Sequence, residues 1–102
     1  MSHPSKAKGN GYERQLVKKL EALGFEAERA WGSNGVAMGE AAEVDVRFNR
    51  PGGKKWRVQA KRRKKIASYL NIEAGVDMVV IREDRGEDLA VVPLALILSL
   101  LE

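Results

Sequence analysis

The sequence predicts an α/β domain in which helices flank a mixed central β-sheet, with its elements in the order αβββαββα. Apolar and polar residues alternate on both sides of a Pro-Gly-Gly turn at residues 51–53, which is typical of two strands joined in a hairpin. Apolar residues have helical spacing over residues 12–23, and residues 94–101 are apolar nearly all round, as in a helix that is deeply buried or covered by a partner chain. A mixed sheet with flanking helices is the natural packing of this order.

The polar first ten residues are expected to form a flexible basic arm ahead of one domain at residues 11–102. The first helix ends at Gly24, where a glycine C-cap is favoured. Its Glu13 lies beside the apolar stripe, so its side chain either faces the core and the sheet or completes a capping box with Asn10. The residues alone leave both interpretations open.

A weakly alternating first strand is predicted at residues 25–31. The glycine-rich loop at 32–35 either lets the backbone approach a phosphate or is a plain connector. Residues 36–42 have no informative pattern and are expected to be a mobile segment. The hairpin strands are predicted at residues 44–49 and 56–61, where the alternation of apolar and polar side chains is clear.

Beyond the hairpin, residues 66–74 fit a short helix that Gly75 would end. The nearly continuous apolar run at 76–81 is expected to be a strand covered on both faces. Another strand is predicted at 89–92. Pro93 ends that strand and can open the last helix at its first position.

The composition argues against several classes of site. The absence of cysteine excludes a disulfide framework and a thiolate metal site, and it suits a cytosolic protein. The one histidine is His3, in the predicted arm, which argues against a Ser-His-Asp triad or a histidine-bound zinc. No signal peptide is visible, and the longest apolar run, residues 91–101, is shorter than the roughly 20 residues of a membrane span. We therefore expect an intracellular protein with no membrane partner.

Charge is divided unevenly along the chain. Residues 1–65 contain sixteen Lys and Arg against seven Asp and Glu, whereas residues 66–102 contain two against seven. The first part therefore predicts a polyanion-binding surface, and nucleic acid is the commonest such partner. No small-molecule cofactor is expected. The candidate DNA-binding cations are Lys6, Lys8, Arg14, Arg29, Lys54, Lys55, Arg57, Arg62, Arg63, Lys64 and Lys65.

The polar positions of the hairpin suggest a metal site. Asp45, Gln59 and Lys61 share the polar parity of their strands, so one face can carry all three. Mg²⁺ prefers oxygen ligands, typically one or two carboxylates with retained waters, and Asp45 and Glu13 would supply them. Lys61 could stabilise charge on a phosphate. The alternative, which composition alone favours, is a surface ion pair between Asp45 and Lys61 beside a solvated Gln59.

The order of these motifs resembles the PD-(D/E)xK nuclease superfamily, whose core is restriction-endonuclease-like. The motifs are a glutamate on the first helix, a Gly-Ser loop, an aspartate on a strand and a Gln-x-Lys pair on the next strand. More narrowly, Lys8-Gly9 ahead of Glu13 and the run Arg29-Ala30-Trp31-Gly32-Ser33 are similar to archaeal-type and phage Holliday-junction resolvases, and the resemblance extends from about residue 8 to residue 92. It implies a Mg²⁺-dependent endonuclease, with Mn²⁺ as a substitute, that is selective for branched DNA and works as a homodimer.

The site residues that the resemblance implies are Glu13, Asp45 and Gln59 as metal ligands, Lys61 as the catalytic lysine, and Ser33 as a loop serine that contacts the DNA at the scissile region. Val44 replaces the usual proline, which is a common variation. Gln59 replaces the usual acid and removes one negative charge from the metal site. Two alternatives therefore stay open, a restriction- or repair-type nuclease acting on duplex or flap DNA, and a non-catalytic DNA-binding module with a decayed site.

Overall fold

The structure, a computed structural model, describes residues 4–30 and 34–102, and of residues 4–10 it describes the backbone alone. The helices and strands are α1 (Pro4–Ala22), β1 (Glu26–Arg29), β2 (Val46–Asn49), β3 (Trp56–Val58), β4 (Val79–Ile81), β5 (Leu89–Val91) and α2 (Leu94–Leu100). Short 3-10 turns lie at Gly35–Met38 and Ser68–Leu70. The predicted α/β class is confirmed. The chain forms two compact units, unit 1 (Met1–Arg62) and unit 2 (Arg63–Glu102), and the prediction of one domain at residues 11–102 stays a prediction.

Helix α1 begins at Pro4, well before the predicted start at Tyr12. Proline is favoured at the first helical position because its missing N–H needs no partner there. The flexibility predicted for residues 1–10 stays a prediction, and residues 1–3 lie outside the described residues. Gly24, with a φ of 90°, follows the helix as predicted, since this left-handed conformation favours glycine.

Unit 1 contains an antiparallel sheet with the strand order β1-β2-β3. The predicted hairpin of β2 and β3 is confirmed, with Phe48 opposite Trp56. Helix α1 contacts β1 and β2. The core of unit 1 consists of the buried apolar residues Leu16, Leu20, Phe25, Ala30, Val44, Val46 and Phe48. The rings of Phe25 and Phe48 meet edge to face with centroids 5.2 Å apart, a favoured aromatic geometry.

Hydrogen bonds connect residues 34–44, which lead to β2, whereas the mobility expected for residues 36–42 stays a prediction. The side chain of Asn34 accepts a hydrogen bond from the Val36 amide at 3.0 Å and so caps the 3-10 turn. The amide of Glu40 donates to the Gly35 carbonyl at 2.9 Å, and the amide of Val44 donates to the Ala41 carbonyl at 3.1 Å. Residues 34–44 thus form a hydrogen-bonded loop that leads directly into Asp45, and we call them the 34–44 loop.

Unit 2 differs from the expected arrangement. Its strands β4 and β5 form a separate antiparallel sheet, so the described residues contain two antiparallel sheets instead of one mixed sheet. A short connection between consecutive strands enforces this, because parallel pairing needs a long crossover. The helix predicted at 66–74 is replaced by the 3-10 turn at Ser68–Leu70.

The apolar residues of unit 2 are largely exposed. Leu98 is its one buried apolar residue within the described chain, and Val80 of β4 is 61% exposed. The expectation that this strand is covered on both faces is therefore wrong for a single chain, because within the described residues β4 pairs with β5 alone and Val80 stays exposed. Within the described residues, neither helix has the length and hydropathy that crossing a membrane requires.

Candidate active site

Two carboxylates stand out by their burial. Among the side chains that the structure describes, Glu13 and Asp45 are the buried polar or charged ones, at 3% and 8% exposed. Removing a carboxylate from water is costly unless it is paired or hydrogen-bonded. Both residues were predicted from the sequence as metal ligands, and each has a partner that holds it in place.

Glu13 is presented by α1 to the end of β1. Its Oε2 lies 3.5 Å from Nη1 of Arg29, the last residue of that strand. Because α1 begins at Pro4, Glu13 lies in the third turn of the helix and not in the first. The capping-box interpretation with Asn10 is therefore wrong, and the alternative, in which Glu13 faces the sheet, is confirmed.

Hydrogen bonds fix both the backbone of Asp45 and one of its carboxylate oxygens. Its carbonyl accepts a hydrogen bond from the Ala30 amide, and its own amide donates to the Val58 carbonyl, both at 2.8 Å. Val58 is also the register partner of Val46. Asp45 and Val46 on one strand therefore both lie opposite Val58 on the other, as in a β-bulge. Oδ2 of Asp45 accepts from the Ala60 amide at 2.8 Å. The described residues give Oδ1 no hydrogen-bond donor, which leaves that oxygen available to a cation.

The end of β1 connects the two carboxylates. Arg29 pairs with Glu13, and the next residue, Ala30, donates to Asp45. The chain then continues into the Gly-Ser loop, whose predicted site residue Ser33 lies outside the described residues. The structure thus brings a helix carboxylate and a strand carboxylate to the same end of the sheet.

Gln59 and Lys61 are placed differently from Asp45. Strand β3 ends at Val58, earlier than predicted, since the Ala60 amide bonds the Asp45 side chain in place of a continuing ladder. Gln59 and Lys61 are exposed, and in the described part of the chain neither makes a hydrogen bond or ion pair. Asp45 by contrast is buried, and the alternative, an ion pair of Asp45 with Lys61, is not formed.

The oxygen donors near Asp45 and Glu13 are few. Across residues 4–30 and 34–102, no group of three or more His, Cys, Asp or Glu is placed to hold a metal. Glu13 and Asp45 supply two carboxylates. Gln59, the first residue after β3, has an amide oxygen that could add a third ligand. Mg²⁺ commonly binds through one or two carboxylates and keeps several waters. This set therefore fits Mg²⁺ better than an ion that requires a full protein cage.

The predicted DNA-binding cations fall into several local environments. Arg29 is engaged by Glu13, and Nη1 of Arg57 lies 3.8 Å from Oε1 of Glu40. The ammonium of Lys54 lies 4.3 Å above the ring centroid of Trp56, a cation–π contact that orients it. Of the others, Arg14, Lys55 and Arg62 are exposed, and the side chains of Lys6 and Lys8 lie outside the described residues. In unit 2, a shallow groove is lined by Arg63, Lys64, Lys65, Ile66, Ser68 and Asn71.

Sequence reasoning missed Arg47. Its Nε donates to Oε1 of Glu28 at 3.0 Å, and its Nη1 donates to Oε2 of Glu40 at 2.9 Å and to the Met38 carbonyl at 3.3 Å. The hydrogen bonds to Glu28 and then to Glu40 raise the pKa of Arg47 above its ordinary value. The available signal was an arginine two positions after Asp45, but its partners could not be identified without the strand register.

Comparison with known proteins identifies a family. The family model described as "Archaeal holliday junction resolvase (hjc)" matches residues 4–97. The match therefore includes both helices in whole or part, all five strands and every predicted site residue. Searches of curated proteins and of solved structures give no match.

Proposed function

The chain belongs to the archaeal Holliday junction resolvase family, and we propose that it is a Mg²⁺-dependent endonuclease that resolves four-way DNA junctions by phosphodiester hydrolysis. One observation carries the proposal. The buried charged side chains of the described chain are Glu13 and Asp45, two carboxylates tied to the same end of the sheet. Buried carboxylates suit a divalent cation that bridges protein and phosphate.

The contacts of the two carboxylates support the roles that we propose for them. Glu13 and Asp45 would hold the ion, Gln59 would contribute its amide oxygen, and Mn²⁺ would substitute for Mg²⁺. When bound, the ion supplies a Lewis acid for the scissile phosphate. The amide of Ala60 fixes one oxygen of Asp45 and thereby orients the other toward a ligand. Such fixing matters because catalytic groups act best when they are already in place.

Lys61 and Ser33 are proposed to act on the DNA. Lys61 directly follows Ala60, whose amide donates to Asp45, so its flexible side chain starts near the Asp45 carboxylate. Its exposed ammonium is suited to stabilising charge that develops on the phosphate. Ser33 lies four positions after Arg29, the last residue of β1, and is proposed to contact the DNA at the scissile region.

The wider proposal is a homodimer that acts on branched DNA inside the cell, without a membrane or a small-molecule cofactor. A four-way junction has two-fold symmetry, which suits a two-fold protein with paired sites. The cations that follow β3 and line the unit 2 groove would bind phosphates. The exposed apolar side chains of α2 would supply a surface for the second copy.

Cleavage of a labelled four-way junction, compared with a linear duplex of the same sequences, tests the proposal. We expect Mg²⁺ and Mn²⁺ to support paired incisions in the junction, little cutting of the duplex, and no cutting in EDTA. Asp45→Asn should abolish cleavage while the junction still binds, because the substitution is nearly isosteric and removes ligand charge. Equal cutting of junction and duplex would instead indicate a restriction- or repair-type nuclease.

One observation favours a second candidate, a junction-binding module without catalysis. Gln59 is exposed, makes no hydrogen bond within the described residues and lacks the charge of the usual acid. A metal site with two carboxylates, one of them paired with Arg29, binds its ion less strongly than a site with three. Tight junction binding without cleavage in any divalent metal would support this module.

A further inference from the structure

Arg47 joins three parts of unit 1. It lies on β2, and its guanidinium donates to Glu28 on β1 and to Met38 and Glu40 in the 34–44 loop. A planar guanidinium with several fixed acceptors has little freedom to move. Arg47 therefore ties the 34–44 loop to the sheet two positions away from Asp45. We call Arg47, Glu28 and Glu40 the arginine clamp.

The 34–44 loop transmits this constraint to Asp45. Its start is closely packed, because a Cβ on Gly35 would lie 2.2 Å from the Ala41 carbonyl oxygen and 2.9 Å from the Cβ of Val44. Its end is the buried residue Val44, directly before Asp45. Hydrogen bonds join Glu40 to the Gly35 carbonyl and Val44 to the Ala41 carbonyl, so a shift at Glu40 displaces the backbone that leads to Asp45.

The arginine clamp is unsuited to binding phosphate. Arg47 donates to two carboxylates, so its charge is more than balanced within the clamp. Arg57 also lies near Glu40, and the side chain of Arg47 is only 16% exposed. The neighbouring acids would repel a DNA backbone. A role in DNA affinity is therefore disfavoured, which leaves the geometry of the site.

We propose that Arg47 is a positioning residue, which holds the 34–44 loop so that the Asp45 carboxylate stays on the Ala60 amide and keeps its other oxygen ready for the metal ion. The inference rests on the proposed function of Asp45 as a metal ligand. Arg47 itself touches neither metal nor DNA. Glu40 acts with Arg47, because it is the acceptor that belongs to the loop.

Three variants test this inference. Arg47→Gln and Glu40→Gln remove either half of the contact between sheet and loop. Arg82→Gln is the control, because it removes the same charge from an exposed arginine of unit 2. Each protein is assayed for junction affinity in Ca²⁺, for single-turnover cleavage across a Mg²⁺ series well below its Tm, and for hydrogen exchange of the Ala60 amide by NMR.

We expect Arg47→Gln to retain junction affinity. Its cleavage rate should fall roughly ten- to a hundredfold, because a small misplacement of a catalytic group has an effect of this size. It should also require more Mg²⁺ for its half-maximal rate. The Ala60 amide should exchange faster, and Glu40→Gln should change the same quantities in the same direction. Arg82→Gln should match the wild type in all three assays.

Two results would overturn the inference. One is an unchanged Mg²⁺ dependence and Ala60 exchange in both clamp variants, which would show a merely structural role. The other is a loss of junction affinity as large as the loss of rate, which would make Arg47 a phosphate contact. If the wild type fails to cleave, the proposed function fails, and the Ala60 exchange still decides whether the clamp positions Asp45.

Discussion

Gln59 is the residue at which an added charge is most informative. It is exposed and lies one position before Ala60, whose amide holds Asp45. If its amide oxygen coordinates the ion, Gln59→Glu adds a third carboxylate, which should strengthen Mg²⁺ binding by about 1 kcal/mol or more, roughly fivefold in affinity, in a solvent-exposed position. Cleavage measured across a Mg²⁺ series should then reach half its maximal rate at a lower concentration.

The matched control for this prediction is Gln15→Glu, the same change at an exposed position of α1. It should leave the Mg²⁺ dependence as in the wild type. If Gln59→Glu also behaves as the wild type, Gln59 does not coordinate the ion, and Glu13 and Asp45 must hold it without that oxygen.

At the same scale, the sequence singled out candidate site residues, whose role stays a prediction, without predicting their environments. Glu13 and Asp45 were both identified, because their order along the chain resembles a known pattern. The burial and the partners of these two side chains could not be predicted from the sequence, because the pairing of Glu13 with Arg29 depends on how α1 packs on the sheet. The bulge at Asp45 also breaks the simple alternation on which the shared-face argument depended.

Gly35 gives a prediction at the scale of an element. A Cβ there would meet backbone and side-chain atoms of the 34–44 loop at 2.2–3.0 Å. Gly35→Ala must therefore displace that loop, and overpacking of this kind costs about 1–3 kcal/mol. Thermal unfolding should show a Tm lower by roughly 4–8 °C for each kcal/mol in a chain of this size.

Gly11→Ala is the matched control, because it is the same substitution in α1 with no atom within 4 Å of the new Cβ. Alanine is favoured over glycine in a helix by about 1 kcal/mol, so this variant should have a raised Tm. Equal Tm values for the two variants would contradict the close packing described for the 34–44 loop.

The helices and strands were predicted with unequal success, depending on whether the local signals in each segment agree. The β2–β3 hairpin was correct, because its alternation and its turn residues agree. The helix at 66–74 was not formed, since a segment of about nine residues is marginal without packing, and Tyr69 is 69% exposed. The start of α1 was placed too late, because Gly9 and Gly11 argue locally against a helix that nevertheless continues through them.

For the whole molecule, the uneven charge predicts strongly salt-dependent binding. If the cations of residues 1–65 contact about 6–10 phosphates, junction affinity should fall by roughly 10³–10⁵ between about 50 and 200 mM salt. Titration of a labelled junction at several salt concentrations measures this slope.

Reversing charge at Arg62 and Arg63 should weaken binding to junction and duplex alike, because phosphate contacts carry no sequence information. Arg82→Glu is the control, and a nearly flat salt dependence would refute this role of the basic residues.

The composition of unit 2 leads to a prediction about assembly. The unit has about 40 residues, a size at which domains usually need an additional source of stability such as oligomerisation. Leu98 is its one buried apolar residue within the described chain, while other apolar side chains of α2 face solvent, with Leu100 71% exposed. A second copy of the chain would cover these side chains. We therefore expect a dimer by sedimentation equilibrium at micromolar concentration without DNA.

Leu100→Glu tests whether α2 is the surface that dimerises. A charge placed in an apolar interface loses its hydration without gaining a partner, so this variant should sediment as a folded monomer. Leu23→Glu, the same change at an exposed leucine of unit 1, should remain a dimer. The monomeric variant should make single incisions that are not coordinated between strands, because paired incisions need paired sites. A wild-type monomer would count against the dimer proposal. A dimer unaffected by Leu100→Glu would instead place the interface away from the exposed end of α2.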